Sequence, residues 1–155
     1  MKKNTLISII IPTYNQPSML EQTLLSLNHQ TDRNFEEVVS DDGSKLSAQQ
    51  EIKKLEPQLS YRFTYLWQKD QGFRAAKARN EGIKKAQGDY IIFTDGDCIL
   101  PPRFVAQHRK LARKNCFVDG NRILLSQSIT ENIHEINTSF SMPFHSMQAF
   151  VLTDR

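Results

Sequence analysis

Apolar runs that stop on polar or acidic residues, each followed by a helical stretch, recur along this chain. Leu6 to Ile11 is a continuous β-branched run ended by Pro12. Continuous rather than alternating apolarity suits a strand buried on both faces, as in a parallel sheet. Ser18-Met-Leu-Glu21 reads as a capping box, and Leu20, Leu24 and Leu27 follow at helical spacing, predicting a helix to about Asn28. Phe35 to Ser40 is a second strand, stopped by Asp41-Asp42-Gly43-Ser44. A weaker helix is expected from Ser47 to Leu55, closed by Pro57. Tyr61 to Trp67 alternates and is aromatic-rich, the pattern of a strand. Arg74 to Ala86 should be helical, stopping before Gly88. Tyr90 to Phe93 is the next strand, Pro102 to about Lys114 a further helix, and Phe117 to Leu125 one more strand with Gly120 as a bulge or close approach. This alternation predicts an α/β, Rossmann-like fold: a mostly parallel central sheet with helices on both faces.

In such sheets ligands sit beyond the carboxyl ends of the strands, where the strand order reverses. Three strand ends carry the unusual polar residues, and all three should share one rim: Pro12-Thr13-Tyr14-Asn15, Asp41-Asp42-Gly43-Ser44 and Asp95-Gly96-Asp97. If the chain turns at Gly96, Asp95 and Asp97 converge. Two close carboxylates repel unless a cation intervenes, and Mg²⁺ or Mn²⁺ commonly takes one or two carboxylates plus phosphate oxygens. A plain polar turn is the competing reading of that tripeptide, as it is of Asp41-Asp42-Gly43. One carboxylate of the Asp41-Asp42 pair could accept a hydrogen bond from a nucleobase N–H, with Tyr14 as a stacking face. Gln68-Lys69-Asp70-Gln71-Gly72-Phe73-Arg74 precedes a helix with cations around it, which suits an anionic diphosphate. No P-loop and no G-x-G-x-x-G is present.

Bulk properties narrow the class. The chain has 155 residues, 39% hydrophobic and 24% charged, enough for one domain with an ordinary core. A net charge of +3 is too mild to argue for nucleic acid, although Lys69, Arg74, Lys77, Arg79, Lys84 and Lys85 cluster. Cys98 and Cys116 form neither a disulfide framework nor a zinc pattern, and each is expected to be a small core hydrophobe. The N-terminus imitates a signal peptide through Lys2 and Lys3, but its apolar run is short and broken by Pro12. No run approaches the length of a spanning helix. These features point to a cytoplasmic protein, or one resting on the inner face of a membrane.

Four pieces in order carry a resemblance: SIIIPTYNQ, LLSLNHQTDRNFEEVVSDDGS, AKARNEGIKKAQGDYIIFTDGD and PPRF. From Leu6 to about Leu125 the chain resembles the family 2 glycosyltransferases of the GT-A fold, and WQKDQGFRAAKARN is similar to their chondroitin-polymerase-like and galactosyltransferase-like members. The resemblance implies a nucleotide-diphosphate sugar donor, most often UDP-linked, and a Mn²⁺ or Mg²⁺ ion. By motif position, Asp95 and Asp97 match the D-x-D pair that holds the metal, with Asp97 favoured over Asp95 as the direct ligand. Asp42 matches the uracil-contacting aspartate. The nucleotide-binding set it implies is Pro12, Tyr14, Asp41, Asp42, Gln68, Lys69, Arg79, Asp95 and Gly96, with Asn80 completing an A-R-N motif. It also implies inverting transfer to an acceptor hydroxyl, on a saccharide or glycolipid, which needs one carboxylate as general base.

That base has no candidate in an E-D pair here. The acids after the last expected strand are Glu131, Glu135 and Asp154, which read as solvent-facing charges; His134 and His145 read as structural or surface residues rather than metal ligands, and the catalytic residue is unassigned. Residues 1–125 are expected to form the donor-binding domain and 126–155 an irregular start of the acceptor side, with loops and a short helix. Two other classes compete. A non-catalytic nucleotide-binding module would bind UDP without releasing it from any UDP-sugar. A metal-dependent phosphotransferase or phosphatase also places D-x-D at a strand end, but on the strand that opens its domain.

Overall fold

The computed structural model describes residues 5–126, Thr130 and the backbone of Gln148–Val151. Glu131, His134, Glu135, His145 and Asp154 lie outside the described residues. Among the described residues seven strands and four α-helices follow in order. They are β1 (Ile7–Thr13), α1 (Pro17–Leu27), β2 (Phe35–Asp41), α2 (Leu46–Leu55), β3 (Arg62–Trp67), α3 (Ala75–Lys85), β4 (Tyr90–Phe93), β5 (Cys98–Ile99), α4 (Phe104–Leu111), β6 (Asn121–Leu124) and β7 (Gln148–Val151). The main sheet has the order β3-β2-β1-β4 and every pair in it is parallel. The expected α/β architecture is the one observed.

The continuous apolar run of β1 is explained by its central place. Ile7, Ile9 and Ile11 join Leu20, Leu24 and Leu27 of α1, Ile52 and Leu55 of α2, and Phe104 and Val105 of α4 in one buried core. The opposite face is covered by α3, which needs small residues to come so close. A Cβ on Gly82 would stand 2.6 Å from Ile10 Cγ2 and 2.8 Å from Ser40 Oγ. That face is also polar: Ser8 Oγ donates to Glu36 Oε1 (2.6 Å), and the Gly88 N–H donates to Ser8 Oγ (2.8 Å). The turn leading into β4 is thereby tied to β1 and β2.

Several boundaries differ from expectation for local reasons. Helix α1 has no capping box: its N-cap is Gln16, without a side-chain cap bond, and Pro17 opens the first turn with its preset φ. Pro57 does not stop α2 but lies within a 3₁₀ turn, Glu56–Gln58, that extends it. Pro101 and Pro102 precede α4 rather than start it, and at its end Ala112 turns extended (ψ 122°). The strand expected from Phe117 is shortened to Asn121–Leu124, and Phe117 is exposed. A second small sheet, β5-β7-β6, forms beside the first, with β7 parallel to β6 and antiparallel to β5. Cys98 is a core residue as expected, but Cys116 is exposed.

A polar ladder on α1 and the turn after it fixes the segment from Gly96 to Val105. Thr23 Oγ1 donates to the Gly96 carbonyl (3.0 Å), and the Leu100 N–H donates to Ser26 Oγ (3.1 Å). Gln30 donates from Nε2 to the Pro101 carbonyl (2.8 Å) and accepts the Val105 N–H at Oε1 (3.0 Å).

Candidate functional site

Strand order reverses between β1 and β4: β2 and β3 lie to one side of β1, and the chain then crosses to the other. Register places Thr13, Asp41 and Trp67 level at the carboxyl ends of β1, β2 and β3, and Ile10 opposite Phe93 puts the end of β4 on the same edge. The three polar strand ends and the segment after β3 therefore meet on one rim, beside the switch point where open α/β sheets bind ligands.

The loops are stitched together. The Asp42 N–H donates to the Thr13 carbonyl (2.9 Å) and the Gln68 N–H to the Asp41 carbonyl (3.1 Å). Asn15, at a left-handed φ of 50°, donates its N–H to Ser44 Oγ (2.7 Å) and accepts the Lys45 N–H at Oδ1 (2.9 Å). Trp67 Nε1 donates to the Ser44 carbonyl (3.1 Å). Gly43 has φ 106°, and a Cβ there would stand 2.5 Å from Asp70 Cα. Only glycine satisfies both demands.

Asp41 and Asp42 are both buried but serve different ends. Asp41 turns inward. Its Oδ1 accepts the Gly43 (3.0 Å) and Ser44 (2.7 Å) N–H groups, and its Oδ2 accepts the Tyr65 hydroxyl. Burial, followed by that bond, raises the Tyr65 hydroxyl pKa. Asp42 faces the segment after β3, accepting Gln68 Nε2 at Oδ1 and the Arg74 N–H at Oδ2 (2.5 Å each). Gln68 Oε1 and Arg74 Nε are buried beside it without a hydrogen-bond partner. Tyr14 is half-exposed, and its hydroxyl donates to Asp70 Oδ2 (2.9 Å), a bond that raises the phenol pKa. The Gly72 N–H, then that same hydroxyl, hold Asp70 low. Lys69 is exposed and contributes its carbonyl, which accepts Arg74 Nη2. Pro12 is partly buried at the end of β1, its carbonyl beside Gly96.

Across the switch point, Asp95 accepts Arg79 Nη2 at Oδ1 (2.9 Å) and Arg122 Nη1 at Oδ2 (3.2 Å). Asp97 has no cationic partner among the described residues; its Oδ1 lies 3.5 Å from the Cys98 thiol. Burial, and then the Asp97 charge, push that thiol up to about 11. No three His, Cys, Asp or Glu side chains cluster among the described residues. A divalent ion here would rely on one or two carboxylates plus ligand oxygens, which is the coordination Mg²⁺ accepts with phosphates. The Asp97 carboxylate, without a cationic partner among the described residues, fits that donor set. Sequence reasoning places Asn15, Ser44, Asp70 and Arg74 in its rim segments without giving them individual roles, and misses Arg122. Asn15 carried a signal, being a residue type that tolerates φ > 0 directly after a strand; Arg122 carried none beyond its charge.

A parallel sheet whose carboxyl edge gathers aspartates, a half-exposed tyrosine and arginines beside a switch point has the layout at which doubly wound α/β domains bind ligands. The family model for "Glycosyl transferase family 2" matches residues 8–154, and the chain belongs to that family. A validoxylamine A glucosyltransferase of Streptomyces hygroscopicus is 39% identical over 102 residues, 64% of this chain and 24% of that protein. The chondroitin synthase of Pasteurella multocida is 36% identical over 126 residues, 81% of this chain and 12% of that protein. Among solved structures, S. aureus TarS 1-349 in complex with UDP-GlcNAc superposes with a TM-score of 0.57 at 29% identity, covering 67% of this chain and 30% of that one. The mannosyltransferase PcManGT from Pyrobaculum calidifontis, in complex with GDP-Man and Mn²⁺, shares the fold at a TM-score of 0.62 and 23% identity, covering 87% of this chain and 39% of that one. The chain thus spans a quarter or less of the length of these curated relatives.

Proposed function

We propose that this chain binds a nucleotide-diphosphate sugar, UDP-linked, on the rim formed by the 12–15, 41–44, 68–74 and 94–97 segments, and supports inverting transfer of the sugar to a saccharide or glycolipid hydroxyl. The observation that carries the proposal is the meeting of Tyr14, Asp42, Gln68 and the Asp95–Asp97 pair on one sheet edge. Likeness to TarS, which was solved with UDP-GlcNAc, supports a UDP-linked donor. The half-exposed Tyr14 ring offers a stacking face to the base. Buried, unpartnered Gln68 Oε1 beside the Asp42 carboxylate offers an acceptor to an imide N–H. Asp97, with Asp95, would hold a Mn²⁺ or Mg²⁺ ion, which when bound neutralises charge on the departing diphosphate. Arg79 positions Asp95 from α3. With base and diphosphate fixed, the sugar carbon is presented to an acceptor hydroxyl, and orientation supplies part of the rate. The reaction would take place in the cytoplasm or at the inner membrane face.

A thermal-shift panel of UDP-, GDP- and dTDP-sugars with and without Mn²⁺ tests this. The expected result is stabilisation by UDP-sugars only with the ion present, since a ligand that binds the folded state raises its melting temperature. No shift with any pair rejects the proposal. A second reading is nucleotide-sugar binding without transfer. It predicts the same shifts but no UDP release when acceptors are supplied.

A further inference from the structure

Asp95 is gripped by arginines from two separate parts of the molecule. Arg79 belongs to α3, packed on the main sheet, whereas Arg122 belongs to β6 of the small sheet. Their exposures differ: the Arg79 side chain is 36% exposed and that of Arg122 58%. Both Asp95 and Arg122 line a cleft of about 710 Å³ that runs along the open edge of β4, with Phe93 and Asn121 in its wall. Asp97 is left without a cation of its own among the described residues.

We propose that Arg122 is an exchangeable cation: it neutralises Asp95 before a divalent ion arrives, yields that carboxylate to the ion, and then binds the diphosphate of the donor. This rests on the donor-site reading above. Two carboxylates within one tripeptide call for positive charge nearby. An ion pair this exposed is weak, so it gives way to a divalent ion at little cost. A released guanidinium, with its planar fork of donors, is suited to phosphate oxygens. Arg79 is the less mobile partner, since α3 packs on both β1 and β2, and it stays as the residue that orients Asp95.

The test uses two titrations on the whole chain. Mn²⁺ alone is titrated by electron paramagnetic resonance, and UDP is titrated at saturating Mn²⁺ by calorimetry. Arg122→Ala should bind Mn²⁺ about two- to five-fold more tightly, because a competing cation is gone. The same variant should bind UDP about ten-fold more weakly, because a charge-assisted bond to phosphate is lost. Arg122→Lys, which keeps the charge and guards against misfolding of the alanine variant, should recover part of the UDP affinity and the wild-type Mn²⁺ affinity. Shifts of opposite sign for ion and nucleotide are what a purely structural role would not produce. Unchanged Mn²⁺ affinity, or parallel loss of both ligands, overturns the exchange while leaving the donor site standing. Failure of the wild-type chain to bind UDP with Mn²⁺ overturns both.

Discussion

Glu37 sits in the middle of β2, fully buried, and neither of its carboxyl oxygens has a hydrogen-bond partner. The Tyr61 hydroxyl is near enough to act on it, yet its O–H donates to the Leu24 carbonyl (2.9 Å). Burial pushes the carboxyl up to about 8 from its ordinary 4.5, so the folded chain holds Glu37 neutral at physiological pH. The unfolded chain releases that proton first. Stability is therefore whole below pH 4.5, falls as the pH rises, and levels off above 8. Linkage makes the loss between pH 5 and pH 8.5 about 4 kcal/mol, a large share of the roughly 5–15 kcal/mol that holds a domain together. Glu37→Gln keeps the shape and removes the ionisation. Whatever the buried amide costs is the same at every pH and cancels in the difference. Urea unfolding of both proteins at pH 5, 7 and 8.5 reads it: the variant should gain on the wild type by about 3–4 kcal/mol across that range. His108, pushed down to about 4 by burial, lowers stability on the acid side as the pH falls from 6.5, and it is common to both proteins. A difference that stays constant to within about 0.5 kcal/mol would show that Glu37 ionises in the fold as in the unfolded chain, refuting the buried-neutral reading.

Three further outcomes are expected. Asp41→Asn turns an amide N–H toward the Gly43 and Ser44 donors or the Tyr65 hydroxyl, and should cost about 2–4 kcal/mol in chemical denaturation; a loss under about 0.5 kcal/mol would remove Asp41 as the anchor of its loop. Gly43→Ala forces a Cβ into the Asp70 backbone at a left-handed φ and should cost about 2 kcal/mol or more, with UDP binding weakened in parallel; a crystal structure with the 41–44 and 68–72 loops unmoved would contradict it. Asp97→Asn should leave the melting temperature of the free chain within about a degree while weakening Mn²⁺ binding ten-fold or more, since among the described residues its carboxylate bonds only the Cys98 thiol; wild-type Mn²⁺ affinity in this variant would move the ion elsewhere.

The sheet was legible because strands buried on both faces write themselves as continuous apolar runs. Ile7 to Ile11 packs between layers, so apolarity and strand coincide; Tyr90 to Phe93 is apolar too, but it forms the edge strand, with Ile92 buried and Phe93 half-exposed. The same logic misled at Phe117 and Val118, which pair with no strand among the described residues; β6 spans Asn121 to Leu124, where β7 pairs with it. β7 itself has a weak local pattern, since pairing across a long separation is decided by tertiary contacts. Within the site, strand ends revealed which carboxylates would gather, but not what each would hold. Asp41 and Asp42 are neighbours, yet one ties its own loop and the other the segment beyond β3. That division follows from alternation along an extended chain, which sends successive side chains to opposite sides. The partners of Asp95 lie 16 and 27 residues away, one on α3 and one on β6, and the first is brought near where Gly82 lets α3 close on Ile10. A glycine deep in a helix, chosen for contact with a strand, therefore helps set the charge on a carboxylate at the rim, and no spacing rule along the chain connects the two.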